Sequence, residues 1–421
     1  MNYRFTFLRH GESVGNRDGY VQGQHDFPLS TKGIEQTNLL ARRWHDQGIH
    51  FDRIITSPLT RALSTTEIIH SILGTPIHED RIWMERYWGN HQGNTLQELD
   101  QKYLRPKFVQ LFDSLGGDGE SEWQLFLRAG VALQTLFSNP PGEYLIVSHG
   151  GLLDKILHTI FGIKPQANFQ GLLFEFRNTT YTQVEYHTER NQWRMLNFIQ
   201  PEDPIKSHQE NFKRYDFTFV RHAESTGNVE KVFQGQSETP LSKLGEEQAL
   251  SFGSLLAQKN RKFDYVLSSP QLRAKQTAEI ICQPLKLPIN TFSLLKEIDN
   301  GLLAGLNGQE IDASFPERPD RTNPYLPVGK NGESWLELYL RGMRIVDHLI
   351  SHPPGEYLII SHGTILNAVI WSILGIPPQP SRRSSFFIFE NTGHCELSFA
   401  PEENLWRFLS LNPATISTQT E

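Results

Sequence analysis

Short apolar runs alternate along the chain with segments of helical apolar spacing. Tyr3 to Leu8 and Asp216 to Val220 are aromatic and β-branched, as strands are, and each runs at once into an Arg-His pair. Gly33 to Trp44 and Gly245 to Ala257 carry apolar residues at helical period after a Pro-Leu-Ser turn. Phe51 to Ile55 and Phe263 to Leu267 read as strands entering a Ser-Pro turn, followed by helices over Arg61 to Leu73 and Arg273 to Cys282. Tyr144 to Val147 and Tyr357 to Ile360 are unbroken apolar runs, the pattern of strands buried on both faces. Each ends in Ser-His-Gly and a further helix. This alternation predicts an α/β fold, a three-layer α/β/α sandwich around a mostly parallel sheet. In such sheets the residues just past the carboxyl ends of the strands share one crevice. Arg9, His10, the stretch Ser57 to Arg61, and His149 are expected there.

The pattern occurs twice. Phe5 to Asn16 (FTFLRHGESVGN) returns 212 positions later as Phe217 to Asn228 (FTFVRHAESTGN), with 9 of 12 residues identical. Pro140 to Ile163 returns 213 positions later as Pro353 to Ile376, with 14 of 24 identical. A period this long marks a duplicated domain rather than a solenoid. The stretch Gln200 to Tyr215 is polar and holds two prolines, as surface linkers do. The expected domains are 1–199 and 214–412, joined by 200–213, with a short polar tail after Pro413.

Composition narrows the classes. A chain of 421 residues is too long for one core. With 47 acidic and 40 basic residues the net charge is −7, so no basic excess points to nucleic acid or an anionic membrane. Two cysteines, Cys282 and Cys395, exclude a disulfide framework and multi-cysteine metal sites. No apolar stretch approaches the ~20 residues that span a bilayer, and the N-terminus turns polar at Arg9. A cytoplasmic protein is the simplest reading.

Arg9, His10, Arg61 and His149, with Arg221, His222, Arg273 and His362 in the second copy, are cations or potential cations gathered at one place in each half. They repel one another unless an anion sits between them, and arginine offers a planar fork suited to phosphate oxygens. Nearby arginines keep a histidine neutral, and a neutral imidazole is a nucleophile that accepts a phosphoryl group. The leaving oxygen needs an acid, for which Glu85 and Glu297 are candidates; a glutamate beside a phosphate dianion gains proton affinity.

These residues resemble the histidine phosphatase superfamily, the phosphoglycerate mutase-like clan, in two tandem copies. Arg9 to Ser13 with Asn16, and Arg221 to Ser225 with Asn228, are similar to its signature. Ser57-Pro58 with Arg61, Met84-Glu85 with Gly89 and Gly93, and Ser148-His149-Gly150 follow in the family's order, as do their counterparts around Arg273, Glu297 and His362. The resemblance implies a phosphoglycerate mutase-like fold present twice. It implies that His10 and His222 are phosphorylated. It assigns phosphate binding to Arg9, Asn16, Arg61 and His149, and to Arg221, Asn228, Arg273 and His362. Glu85 and Glu297 become the acids and then the bases. No cofactor and no metal are implied, and the partner is a small phosphorylated substrate.

Ala223 stands where the signature has glycine, and an added methyl there threatens to crowd the phosphate. Glu12 and Glu224 are nearer the histidines in sequence, but the family pattern does not make them the acid. His25, His70, His78, His91 and His394 read as solvent-facing. Glu120-Ser121 and Glu333-Ser334, with Arg128 and Arg341 downstream, either line the pocket or cap a helix, and the cap is favoured. Glu85 precedes His149 by 64 residues and Glu297 precedes His362 by 65. Glycolytic mutases of the family carry a longer insert there, so phosphomonoester hydrolysis is favoured. Mutase-type transfer remains the alternative, since Glu85-Arg86-x-x-Gly89 is similar to the mutase motif, and a non-catalytic phosphate- or phosphoprotein-binding scaffold is the other. Specificity is expected in loops Trp88 to Tyr103 and Arg318 to Asn331. The natural substrate, the oligomeric state and the domain arrangement stay open.

Overall fold

A computed structural model of the chain describes residues 2–103, 108–201, 213–315, 323–378 and 385–413. Most of the expected linker, part of the 318–331 loop and the tail beyond Pro413 lie outside them. The described residues gather into two compact units, Met1–Glu189 with Phe198–Gln209, and Arg190–Asn197 with Glu210–Glu421. In the second unit Arg194 and Met195 pair in parallel with Phe386 and Phe387. No helix among the described residues is long and apolar enough to cross a membrane.

In the first unit four parallel strands lie side by side: Ile77–Glu79, Arg53–Thr56, Glu143–Ser148 and Asn2–Arg9. An antiparallel strand, Tyr181–His187, follows on the far side of Asn2–Arg9. The apolar run Tyr144 to Val147 is buried, as its composition predicts, because helices cover both faces. On one face Leu8, Leu145 and Val147 pack with Ala41, Trp44, Ala62 and Ile69 of helices Thr31–Asp46 and Thr60–Leu73. On the other, Phe5 meets Phe137 and Phe7 meets Trp83, over helices Glu122–Leu136 and Gly150–Phe161. Each fully buried large apolar side chain contributes about 1.5–3 kcal/mol. Ser30 starts the helix Thr31–Asp46 by accepting the Gly33 N–H, which places its first turn ahead of the apolar pattern that predicts it.

The second unit repeats the plan with Asn290–Thr291, Tyr265–Ser268, Gly355–Ser361 and Tyr215–Arg221 in parallel, then His394–Ala400 and Leu405–Asn412 antiparallel. Each unit is the expected α/β/α arrangement. The register decides what meets at the carboxyl ends. Arg9 pairs with Ser148, and Val147 with Thr56, so the next residues, His10, His149 and Ser57, emerge together.

At the opposite end of the second sheet Glu356 lies near Asp216 and Glu396. Burial and then Asp216 push its carboxyl up from 4.5 to about 7 against the pull of Arg261. A carboxyl with a raised folded pKa holds its proton more tightly when folded, so its destabilising effect grows as pH rises from 4.5 to about 7. Glu356→Gln is therefore expected to raise the urea midpoint at pH 8 and to leave it nearly unchanged at pH 4.5. An equal shift at both pH values would contradict this account.

Candidate active site

His10 follows the strand end and is 2% exposed. Its Nδ1 lies 2.7 Å from the Gly11 carbonyl, which only a protonated nitrogen can donate to. Its Nε2 accepts the Nε–H of Arg61 at 3.2 Å. The two contacts together define one neutral tautomer, with the lone pair on Nε2. Burial, then Arg61 and Arg9, drive the imidazole well below its ordinary 6.5 and keep it uncharged. The His149 ring lies 5.1 Å away, centroid to centroid, and burial, then Arg61, His10 and Arg9, drive it well below its ordinary 6.5 too. Its Nε2 is 2.8 Å from Ser57 Oγ, which also accepts the Leu59 N–H. Its Nδ1 is buried and without a partner among the described residues.

The arginines are held by backbone oxygens. Arg61 is 1% exposed; its Nη1 and Nη2 donate to the carbonyls of His25 and Gly23. Burial lowers it to about 10, still a cation at neutral pH. Arg9 Nη1 donates to the Phe176 carbonyl at 2.6 Å, while its buried Nε has no partner among the described residues. Asn16 Oδ1 accepts from Ser13 and Asn178, bonds that leave the amide nitrogen out. The Glu85 carboxylate accepts the N–H groups of Arg86 at 2.7 Å and Gly151 at 3.1 Å, the latter at a helix N-terminus. The cup thus has unused buried donors, two cations and no anion of its own apart from Glu85.

The second unit reproduces these bonds. His222 Nδ1 meets the Ala223 carbonyl at 2.7 Å, and Arg273 Nε reaches His222 Nε2 at 3.2 Å. His362 lies 5.1 Å from His222 and 2.8 Å from Ser269 Oγ. Arg221 Nη1 donates to Phe389, and Asn228 Oδ1 accepts from Ser225 and Asn391. Glu297 accepts from Ile298, Thr364 and Ile365. All twelve expected site residues therefore gather, six in each unit.

The expectation that Ala223 crowds the phosphate is corrected. A methyl built on Gly11 meets the Gly33 carbonyl and Thr37 Oγ1, both at 2.6 Å, on the helix side of the loop. In the second unit the position matching Thr37 is Ala249, and Ala223 and Ala249 lie in one buried apolar cluster. The smaller partner makes room for the larger loop residue. Gly11→Ala alone is expected to cost about 1–3 kcal/mol through overpacking, and adding Thr37→Ala is expected to recover the part due to Thr37 Oγ1 while the contact with the Gly33 carbonyl remains. A denaturant titration checks this; a double variant no better than the sum of the singles would show the sites uncoupled.

A second difference lies beside the acid. In the first unit Arg86 pairs with Glu122, Glu122 with Lys155, and Lys155 with Asp154, which also contacts His158. All five are buried. The matching residues of the second unit are Ile298, Trp335, Ala368, Asn367 and Trp371. Asn367 keeps one duty of Asp154: each accepts a strand N–H, from Phe387 and Phe174 respectively, at 2.8 Å.

Glu12 and Glu224 accept from Ser30 and Ser242, bracing the loop rather than meeting the histidines. Ser121 and Ser334 do cap their helices. Arg128 and Arg341 grip Glu120 and Glu333. His25, His70 and His78 are exposed, but His394 is not solvent-facing. It sits half-buried on a sheet strand, its ring tilted against Phe252 at 5.0 Å, with Nε2 3.1 Å from the Asn412 amide. Sequence reasoning missed Asn178 and Asn391, which tie the histidine carbonyl to the asparagine; their recurrence at matching positions was the available signal.

The family described as histidine phosphatase superfamily (branch 1) matches residues 5–199 and again 217–413. A probable phosphoglycerate mutase GpmB of Yersinia enterocolitica is 33% identical over 183 residues, 42% of this chain and 83% of that protein. Its Salmonella arizonae counterpart is 34% identical over 171 residues, 39% of this chain and 77% of that protein. Among solved structures, a mycobacterial glucosyl-3-phosphoglycerate phosphatase is similar at 24% identity and TM-score 0.42, covering 48% of this chain and 100% of that one. A phosphoserine phosphatase from Entamoeba histolytica is similar at 26% identity and TM-score 0.39, covering 48% of this chain and 98% of that one.

Proposed function

Because the chain belongs to the histidine phosphatase superfamily over both of its halves, we propose that it hydrolyses small phosphate monoesters at two sites, in domains 1–199 and 214–412, through phosphohistidine. The observation that carries the reading is the neutral imidazole of His10 and of His222, its Nε2 lone pair facing a cup of arginines. The phosphoryl group enters between His10, His149, Arg9, Arg61 and Asn16. Its oxygens take the Arg9 Nε–H that the protein leaves unused and, with His149 in the tautomer protonated at Nδ1, the imidazole N–H as well. Nε2 attacks phosphorus, the ester P–O bond breaks, and Glu85 gives its proton to the leaving oxygen. Glu85 then takes a proton from water, the water oxygen attacks phosphorus, the P–N bond breaks and phosphate leaves. Arginine donors fixed in advance stabilise the charge on the phosphoryl oxygens in the transition state, typically worth 10²–10³ in rate for one such donor. His222, His362, Arg221, Arg273, Asn228 and Glu297 take the same parts in the second half. A cytoplasmic setting, in which the buried thiols Cys282 and Cys395 stay reduced, belongs to this reading.

The test is hydrolysis of an aryl phosphate without added metal, with an alkaline quench to capture the acid-labile phosphohistidine. Labelled protein under alkali and none under acid supports the reading; turnover with no labelled histidine contradicts it. The names of the bacterial relatives favour a second reading, in which the same phosphohistidine passes its group to a second hydroxyl instead of water. Interconversion of phosphoglycerates with a bisphosphoglycerate primer would establish that reading instead.

A further inference from the structure

Arg128 sits on the helix Glu122–Leu136, outside the phosphate cup. Its guanidinium uses every one of its N–H groups. Nε and Nη2 grip the two carboxylate oxygens of Glu120, each at 2.7 Å. Nη1 donates to the carbonyls of Ile82 and Met84, and Nη2 also to that of Glu85. Glu120 takes the Tyr87 N–H as well, and Ser148 Oγ takes the remaining carbonyl of the stretch, that of Trp83. Three of the four carbonyls leading into Glu85 are thus held by the one Arg128 side chain, with Gln24 Nε2 sharing that of Glu85. The second unit rebuilds the device: Arg341 grips Glu333 and donates to the carbonyls of Leu294, Lys296 and Glu297, while Ser361 takes Leu295.

We propose that Arg128 and Arg341 are positioning residues for the acid, setting the Glu85 and Glu297 carboxyls against the leaving oxygen without touching substrate. The assignment rests on the acid role given to those glutamates above. A planar fork that binds a carboxylate and three carbonyls at once cannot be replaced by a lysine point charge. A clamp that acts on the acid alone weakens proton transfer and spares phosphate binding.

That division is measurable. Silence the second half with His222→Ala, then compare Arg128→Lys and Glu85→Gln in single-turnover phosphorylation. One substrate is an alkyl phosphate, whose leaving oxygen needs a proton; the other is 2,4-dinitrophenyl phosphate, whose leaving group does not. General acids contribute about 10²–10⁴ in rate. Arg128→Lys is expected to lose about 10²-fold on the alkyl ester, less than ~3-fold on the dinitrophenyl ester, with KM for both little changed. Equal losses on both esters, or no loss on either, overturn the proposal. If Glu85→Gln shows the leaving-group pattern and Arg128→Lys does not, the clamp alone is wrong. If Glu85→Gln shows no such pattern, the acid assignment falls and this proposal with it. Should Arg128→Lys lower the melting temperature so far that the chain is unfolded at assay temperature, Arg341→Lys in a His10→Ala background, with Glu297→Gln as its control, gives the same reading on the other half.

Discussion

The double variant His10→Ala/His222→Ala is expected to lose about 10⁴–10⁶-fold in phosphomonoesterase rate, because removing a nucleophile abolishes the covalent route and leaves only binding and electrostatics. The magnitude follows from how completely each imidazole is committed. Nδ1 is spent on a carbonyl one residue away, so the lone pair is on Nε2, where it accepts an arginine Nε–H at 3.2 Å that an entering phosphoryl group has to displace. The ring is buried and too weakly basic to be charged near neutrality. His149 and His362 instead turn Nε2 to a serine hydroxyl. Each single variant should remove only the share of its own half, so the two rates sum to that of the parent chain. A double variant retaining most of the parental rate would remove the imidazole from the chemistry altogether.

Lys155→Met is expected to destabilise the first unit by about 3–5 kcal/mol, the usual cost of orphaning one side of a buried ion pair. Lys155 lies between Glu122 and Asp154, at 3.1 and 3.0 Å, and both carboxylates are about 3% exposed. Burial opposes the charge on Asp154, yet His158 and Lys155 hold its carboxyl far below the ordinary 3.8. A depressed carboxyl contributes stability that is present above its unfolded value and lost as pH falls through its folded one. The penalty of Lys155→Met should therefore be full at pH 7 and fade below about pH 4. Urea unfolding across that range checks the size, and amide exchange along Gly150–Phe161 checks the place. The second unit supplies the contrast, since Ala368 occupies the same position among Ile298, Trp335 and Trp371. Replacing the whole charged set by those apolar residues together with Asn367 should cost far less than removing one charge.

Much of this was legible in the residues. Duplicated strand-end motifs located the crevice, and the apolar runs Tyr144 to Val147 and Tyr357 to Ile360 predicted its central strands. What stayed hidden depends on contacts between segments distant in the chain. The antiparallel strands Tyr181–His187 and His394–Ala400 carry Glu185 and Glu396 inward, which breaks an apolar pattern until Arg4 and Arg261 are found opposite them. Arg128 reads from sequence as part of a helix cap; its grip on residues 43–46 positions earlier needs the fold. The relief that Ala249 gives Ala223 is invisible for the same reason.

That last pairing bears on how the two copies can exchange sequence. Their most alike stretches, Phe5–Asn16 and Phe217–Asn228, are where recombination between the halves would most readily begin. A crossover falling between the loop and the following helix joins alanine to threonine in one product and glycine to alanine in the other. The first is overfilled and the second hollow. Only exchanges that carry both positions inherit a well-packed loop, so this short interval tends to descend as a block even where its neighbours are free to mix.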